Sequence, residues 1–456
     1  MSQLHLNQKI LQLALPNIIT NITVPLLGMV DTAIVGHLGQ AYLGAIAIGT
    51  AIFNLIYWNF GFLRMGTSGF TAQAYGARQL DEAVRVFIRA FSLALLIAVV
   101  LIVLQYPLAL LSRLIFNGSA NVLTMALAYF FVRIWAAPAT LGLYAIKGWF
   151  IGMQNSRLPM WIAIFINVVN ILCSLLFVLH FHWGIRGVAL GTVIAQYSGL
   201  LVGLAFLVSR YGKLFQRAFR RNTSSASTFI SQALRWADMK RFFRVNGDIF
   251  LRTVCLAAVF TFITSESGRI SDQILAVDTL LMQFFTLFSY IMDGFAYAGE
   301  SLVGRYIGAR NRTALVGTVR HLLLWGLALT LLFTALYAVG GTAFLGLFSD
   351  EAAVIQASQP FLFWTLVIPV CGFAAFLFDG IFIGATASRT MRNAMFVATA
   401  AFFGVYYALR FLIPGVTDST LLWNNILWTA FMVYLASRGI GQAIMLRPAV
   451  YNQVRD

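Results

Sequence analysis

The chain has 456 residues, of which 60% are hydrophobic and 10% charged, and its mean hydropathy is +0.83. A soluble domain is about 25% charged, so this composition excludes a water-soluble globular protein and predicts an integral membrane one. The net charge of +16 would point to nucleic acid in a soluble protein; here it reads as cationic loops beside a membrane, and no nucleic-acid partner is expected.

A spanning helix needs about 20 mostly apolar residues, and that ruler gives about twelve spans. The first six lie near 10–35, 43–67, 84–106, 122–148, 158–179 and 185–208. The second six lie near 248–265, 274–299, 320–339, 359–384, 393–412 and 421–446. The first span carries Pro16, Pro25 and one carboxylate, Asp31. A charge near the centre of a lipid-spanning helix costs roughly 2.5–3.5 kcal/mol on insertion scales, which makes Asp31 the leading functional residue. The residues a turn away, Leu27, Gly28, Ile34 and Val35, offer it no cation. The two prolines remove backbone donors and suit bending or packing equally well. Lys9 precedes a long apolar run rather than a short one with a cleavage site, so this helix is expected to stay in the protein.

Arg64 and Arg133 have no partner within their own spans, and contacts with lipid phosphate or carbonyls are expected. Tyr57, Trp58 and Tyr144 could line a cavity for flat cations. The fifth span reads INVVNILCSLL and sets Asn167, Asn170 and Ser174 on one face, where they could hydrogen-bond Asp31 or serve interhelical packing. His180 and His182 form an HxH without a nearby acid or cysteine, and Cys173, Cys255 and Cys371 lie in apolar runs. No metal, disulfide or cofactor is expected.

The polar stretch 209–245 holds nine basic residues around an NTSSAST core at 222–228. It predicts a flexible linker with flanks that touch anionic lipid headgroups. The domains are therefore an N-terminal bundle at 1–208, a cytoplasmic basic linker at 209–245 and a C-terminal bundle at 246–456. Beyond the linker, Asp248 and Arg252 are four apart and predict an intrahelical pair. Asp293 and Glu300 are seven apart, on one face of the eighth span; they could bind a cationic substrate or an ion, or Glu300 could pair with Arg305. Asp379 in the tenth span could be a second coupling or substrate-binding acid.

Twenty-two basic residues fall in the termini and alternate loops of one side, against Arg113, Arg186, Arg269 and Arg410 on the other. By the positive-inside rule both termini are cytoplasmic, which requires an even number of spans. The two halves also repeat each other. Gly61-Phe62 and Gly66, then Tyr75-Gly76-Ala77-Arg78, match Gly294-Phe295 and Gly299, then Ile307-Gly308-Ala309-Arg310. Gly148-Trp-Phe-Ile-Gly152 with Ser156-Arg157 matches Gly380-Ile-Phe-Ile-Gly384 with Ser388-Arg389, at an offset of 232. That offset also equates Lys147 with Asp379, which could pair or face water separately. Six spans per repeat is even, so the halves share an orientation, with an axis along the membrane normal and a substrate path near the midplane between them. This architecture suggests a transporter rather than an enzyme.

Pro16, Pro25, Asp31 and Gly36-His37-Leu38-Gly39 resemble the opening of the multidrug and toxic compound extrusion (MATE) family. Gln73 with Gly76-Ala77, and its echo after span eight, are also similar to that family. Asp293-Gly-Phe-Ala-Tyr-Ala with Glu300, and Phe378-Asp379-Gly380 followed by Gly384-Ala385, resemble its DNA-damage-inducible protein F (DinF) branch. The resemblance covers essentially the whole chain, in order. It implies a V-shaped pair of six-helix bundles and an antiporter that exports organic, often cationic, compounds by alternating access driven by H+ or Na+. Asp31 aligns with the first-span acid that proton-coupled members protonate. Some members carry Asn and Asp in the fifth span, where this chain has Asn170 and Ser174. Leu256 stands where the Na+-coupled branch has a glutamate in span seven. Proton coupling at Asp31, with Asn170 and Ser174 as helpers, is the resulting expectation, in a monomer of the cytoplasmic membrane.

Na+ coupling and export of organic anions stay open as variants within the family. A lipid-linked-precursor flippase would favour extra spans and a basic cavity. A membrane-embedded transferase would need paired acids or His/Asp clusters at one membrane face, and His5, His37, His180, His182 and His321 are scattered.

Overall fold

The computed structural model describes every residue except 1–2, 37, 117–118, 223–225, 350 and 455–456, and describes only the backbone of 3, 4, 27, 222 and 226. His37 of the GHLG motif and the centre of the expected linker thus lie outside the described residues. Helices account for nearly all the rest: α1 (Gln3–Gly36), α2 (Gln40–Asn59), α3 (Phe62–Gly76), α4 (Leu80–Val103), α5 (Gln105–Ile115), α6 (Ala120–Arg133), α7 (Ala137–Gly152), α8 (Arg157–Leu175) and α9 (Gly184–Asn222). There follow α10 (Ala226–Ala233), α11 (Trp236–Ile270), α12 (Asp272–Gly308), α13 (Arg312–Phe348), α14 (Ala352–Ser358), α15 (Leu362–Gly384), α16 (Ser388–Leu412) and α17 (Thr420–Ala449).

Eleven helical segments among the described residues are long and apolar enough to cross a membrane. The last expected span, α17, is 30 residues long, and Asn424, Asn425, Arg438 and Gln442 make it the more polar one. The chain forms an all-α membrane protein. Its described residues divide into two compact units, one within Leu15–Asn246 and the other within Met1–Ala14 and Gly247–Asp456. The division falls inside α1, just before Pro16. On the near side Asn7 accepts a hydrogen bond from the Trp325 indole at 3.2 Å.

The stretch expected to be a flexible linker is helical on both sides of residues 223–225. α9 runs on to Asn222 and α10 packs back onto α4 and α9. Phe229 of α10 is buried against Val84 and Ala218, flanked by Ile88 and Phe219. Arg89 fastens the same place: its Nε donates to the Ala233 carbonyl at 2.8 Å, at the C-terminus of α10 where carbonyls lack helical partners. It also pairs with Glu82 at 2.6 Å and Asp238 at 3.5 Å. One buried phenylalanine and an arginine cap override the polar composition.

The repeat is written in the backbone as well as in the sequence. Arg78 and Arg310 (φ 59 and 51) adopt left-handed conformations at equivalent helix ends, and so do Gln154 and Thr386 (φ 65 and 51). Each is followed by an N–H that reaches back five residues, as in Gln79 to Ala74 and Asn311 to Tyr306, at 2.9 and 3.0 Å. This is the Schellman closure of a helix. The paired glycines set the packing: a methyl group at Gly148 would collide with the Arg64 carbonyl of α3, and one at Gly380 with the Ala296 carbonyl of α12. Small residues four apart let two membrane helices approach backbone to backbone. Gly380→Ala is expected to lose about 1–3 kcal/mol through overpacking, read as a lower unfolding temperature in detergent. Gly404→Ala, where nothing lies within 4 Å of the added carbon, should leave that temperature unchanged or raise it.

Candidate functional site

Asp31 lies five residues before the end of α1, about 7.5 Å along the helix, and is only 3% exposed. Its partners come from α8 and α9. Ser174 Oγ donates to Asp31 Oδ1 at 3.2 Å and Thr192 Oγ1 to Oδ2 at 3.4 Å. Asn170 Nδ2 donates to Thr192 Oγ1 at 3.1 Å. All three partners are buried. α8 and α9 meet so closely here that a methyl group at Gly191 would sit 2.8 Å from Ser174 Oγ. α1 is held to α8 by Asn167, which donates to the Thr23 carbonyl at 2.7 Å, and by Asn17, which donates to Ser156 Oγ at 3.0 Å.

The polar face of the fifth span therefore meets α1 as its spacing predicts. Ser174 reaches the carboxylate directly, and Asn170 reaches it through Thr192. Thr192 and Arg133 join this cluster without a motif in the sequence that ties them to Asp31. Arg133 does not turn to lipid or a carbonyl as expected. It donates to the Tyr129 hydroxyl, lies 4.8 Å from the centre of the Phe53 ring, and is within electrostatic reach of Asp31.

Asp379 has a different environment. Arg252 and Arg438 both donate to its Oδ2, the latter at 2.6 Å, and Gln442 donates to Oδ1 at 2.8 Å. Two arginines and a glutamine thus occupy its two oxygens and tie α15 to α11 and α17. The expected Asp248–Arg252 pair does not form. Arg252 turns to Asp379, while Asp248 accepts from Arg392 at 2.6 Å and Ser388 at 2.9 Å. Asp293 is half-buried and within electrostatic reach of Arg438. Glu300 is fully buried, two turns before the end of α12. Lys147 lies near Arg64, which gives α3 and α7 two neighbouring cations. Tyr57 is buried and stacks on Phe53 at 5.5 Å while Trp58 is exposed, so these adjacent rings do not share a wall.

The MatE family profile matches residues 16–176 and again 249–409, once in each repeat. The chain belongs to the MatE family. DNA damage-inducible protein F of Escherichia coli (strain K12) is 36% identical over 438 residues, covering 95% of this chain and 91% of that protein. A solved structure of MATE in the bent conformation superposes with a TM-score of 0.84 at 18% identity, covering 99% of this chain and 98% of that one. A transporter of the MOP superfamily from Pyrococcus furiosus, described as having a binding pocket of reverse polarity, gives a TM-score of 0.81 at 18% identity, over 99% and 97% of the two chains. At that identity the two structures speak to the fold. A MatE member of this kind is a multidrug and toxin extrusion transporter, a multi-pass membrane protein and not an enzyme.

Within the family frame, the two acids predict opposite mutational behaviour. Removing one arginine from a buried ion cluster leaves uncompensated charge and costs about 3–5 kcal/mol. Arg438→Leu should therefore lower yield and unfolding temperature sharply, whereas Thr192→Val, which removes a single hydroxyl, should change stability by about 1–2 kcal/mol. Thermal unfolding of the detergent-purified variants checks both, and equal effects would contradict the role of the Asp379 cluster in tying helices together.

Proposed function

We propose that the chain exports organic compounds, many of them cationic, in exchange for protons that bind Asp31. The observation that carries this reading is the donor set. Ser174 and Thr192 are neutral groups that serve either charge state of a carboxyl. A hydroxyl has one hydrogen and two acceptor lone pairs. With Asp31 ionised, both hydroxyls donate to it. With Asp31 protonated, its O–H donates to one of them, and the Thr192 hydrogen turns to the Val188 carbonyl, which lies 3.1 Å away. Neither state strands a polar atom of Asp31, Ser174 or Thr192, which is a condition for a carboxyl that changes charge repeatedly.

In the cycle, a proton taken from outside neutralises Asp31 and its release to the cytoplasm restores the ion, so that substrate and proton occupy alternate states. For a substrate without net charge, one proton moving down the membrane potential gains about 2.3 kcal/mol per 100 mV, which sustains roughly a fiftyfold gradient. One-for-one exchange with a monovalent cation moves no net charge and is driven by the pH difference alone. The basic-loop count supports cytoplasmic termini in the cytoplasmic membrane, and the chain is proposed to act as a monomer among membrane lipids. A second reading, export of organic anions, draws on Arg64, Lys147 and Arg133 within one bundle, and on the reversed pocket polarity described for the Pyrococcus furiosus protein.

Purified protein in liposomes, given a pH or a Na+ gradient and a fluorescent cation or anion, tests the reading. A pH gradient should drive cation uptake, a Na+ gradient should not, and Asp31→Asn should lose at least about tenfold of the pH-driven rate while still inserting. Undiminished pH-driven transport by Asp31→Asn would overturn the coupling assignment. Uptake of the anion alone would favour the second reading.

A further inference from the structure

A second carboxylate, in the C-terminal repeat, is, like Asp31, buried and held by uncharged hydrogen-bond donors. Asp278 lies six residues into α12, about 9 Å from its start, and is 3% exposed. Its Oδ1 accepts from Asn424 Nδ2 at 2.9 Å and Trp428 Nε1 at 2.7 Å, and its Oδ2 accepts from Ser267 Oγ. None of these donors is charged. The ionisable groups around it are engaged elsewhere or lie along other turns. Glu266 of α11 pairs with Arg269 at 3.2 Å and with Arg410 of α16 at 3.0 Å, and it also accepts from Tyr406. Asp272 lies in the first turn of α12, which Ser271 caps, and Glu351 before α14 is exposed. Arg312, Arg320 and His321 occupy the first turns of α13. Asp379 of α15 and Arg438 of α17 hold each other, and Arg447 closes α17.

The parallel with Asp31 extends to the details. Ser267 has one hydroxyl hydrogen and two acceptors, Asp278 and the Ile263 carbonyl at 2.8 Å. Thr192 has the same choice between Asp31 and the carbonyl four residues before it. Asn424 stands at the repeat offset of 232 from Thr192. Its Oδ1 is buried with no hydrogen-bond partner, as is Oδ1 of Asn170 beside Asp31. An amide with one oxygen in reserve can donate to a carboxylate and, turned over, accept from a carboxylic acid. A proton fits.

We propose that Asp278 is a second proton-binding carboxylate of this transporter, built in the C-terminal repeat on the plan of Asp31. The proposal rests on the proton-coupled reading above. On protonation the new O–H donates either to Ser267 Oγ, with the Ser267 hydrogen moving to the Ile263 carbonyl, or to the turned Asn424 Oδ1. Infrared difference spectra of the full-length protein in lipid, recorded across a pH titration, test it. The wild type should show two carboxylic-acid C=O bands that grow as pH falls. Asp31→Asn should remove one and Asp278→Asn the other. Trp428→Phe keeps the carboxyl but removes one donor; it should shift the frequency of the second band and serves if Asp278→Asn does not fold. Both bands persisting in Asp278→Asn, or neither band moving in Trp428→Phe, would overturn the proposal. Both bands persisting in Asp31→Asn would instead overturn the role of Asp31, with the Asp278 band still decided by its own variants.

Discussion

A carboxylate inside a bilayer-thick bundle has to be satisfied by the bundle itself, because the hydrocarbon supplies neither water nor hydrogen-bond donors. This protein meets that constraint in two ways. Asp379, Asp248 and Glu266 are held by arginines from other helices and so tie helices together. Asp31 and Asp278 are held by hydroxyl, amide and indole groups that carry no charge. An arginine cluster resists a change of protonation, whereas neutral hydroxyls tolerate it. The two groups of acids are told apart by their partners rather than by burial, since all five are buried.

Close helix approach makes these arrangements possible. Gly191 brings α9 against Ser174, so that two helices can present hydroxyls to one carboxyl on a third. The glycine pairs of α7 and α15 do the same mechanical work in each repeat, bringing those helices onto the backbones of α3 and α12. Loop closures by left-handed residues at equivalent positions show that the repeat is preserved in turns as well as in helix contacts. The polar centres have diverged more than the scaffold: Thr192 in one repeat corresponds to Asn424 in the other, and Ser174 to Tyr406, which bonds Glu266.

Much of this was legible from the chain alone, and for physical reasons. Hydropathy windows found the membrane helices because a bilayer imposes one length on them. Helical spacing placed Asn167, Asn170 and Ser174 on one face, and that face does meet α1. Partners far apart in sequence were not legible. Asp248 and Arg252 satisfy the i, i+4 rule, yet each finds a better-directed partner on another helix, Arg392 and Asp379, about 130–145 residues away. Thr192 and Asn424 look like ordinary polar residues until the fold brings a carboxylate to them. Asp278 lies within an apolar span, where the cost that singled out Asp31 applies equally. The helices on either side of 223–225 were hidden because a single buried side chain, Phe229, decides their packing against a polar background.

Asp31 as the group whose charge is exchanged against substrate is the central claim. Adding a transported cation to the purified protein in weakly buffered detergent, with a pH indicator present, measures that exchange without a membrane or a gradient. The wild type should release protons on binding, with a release that fades at high pH where the carboxyl is already ionised, and Asp31→Asn should bind the cation with that release lost. Equal proton release from the wild type and Asp31→Asn would contradict the account.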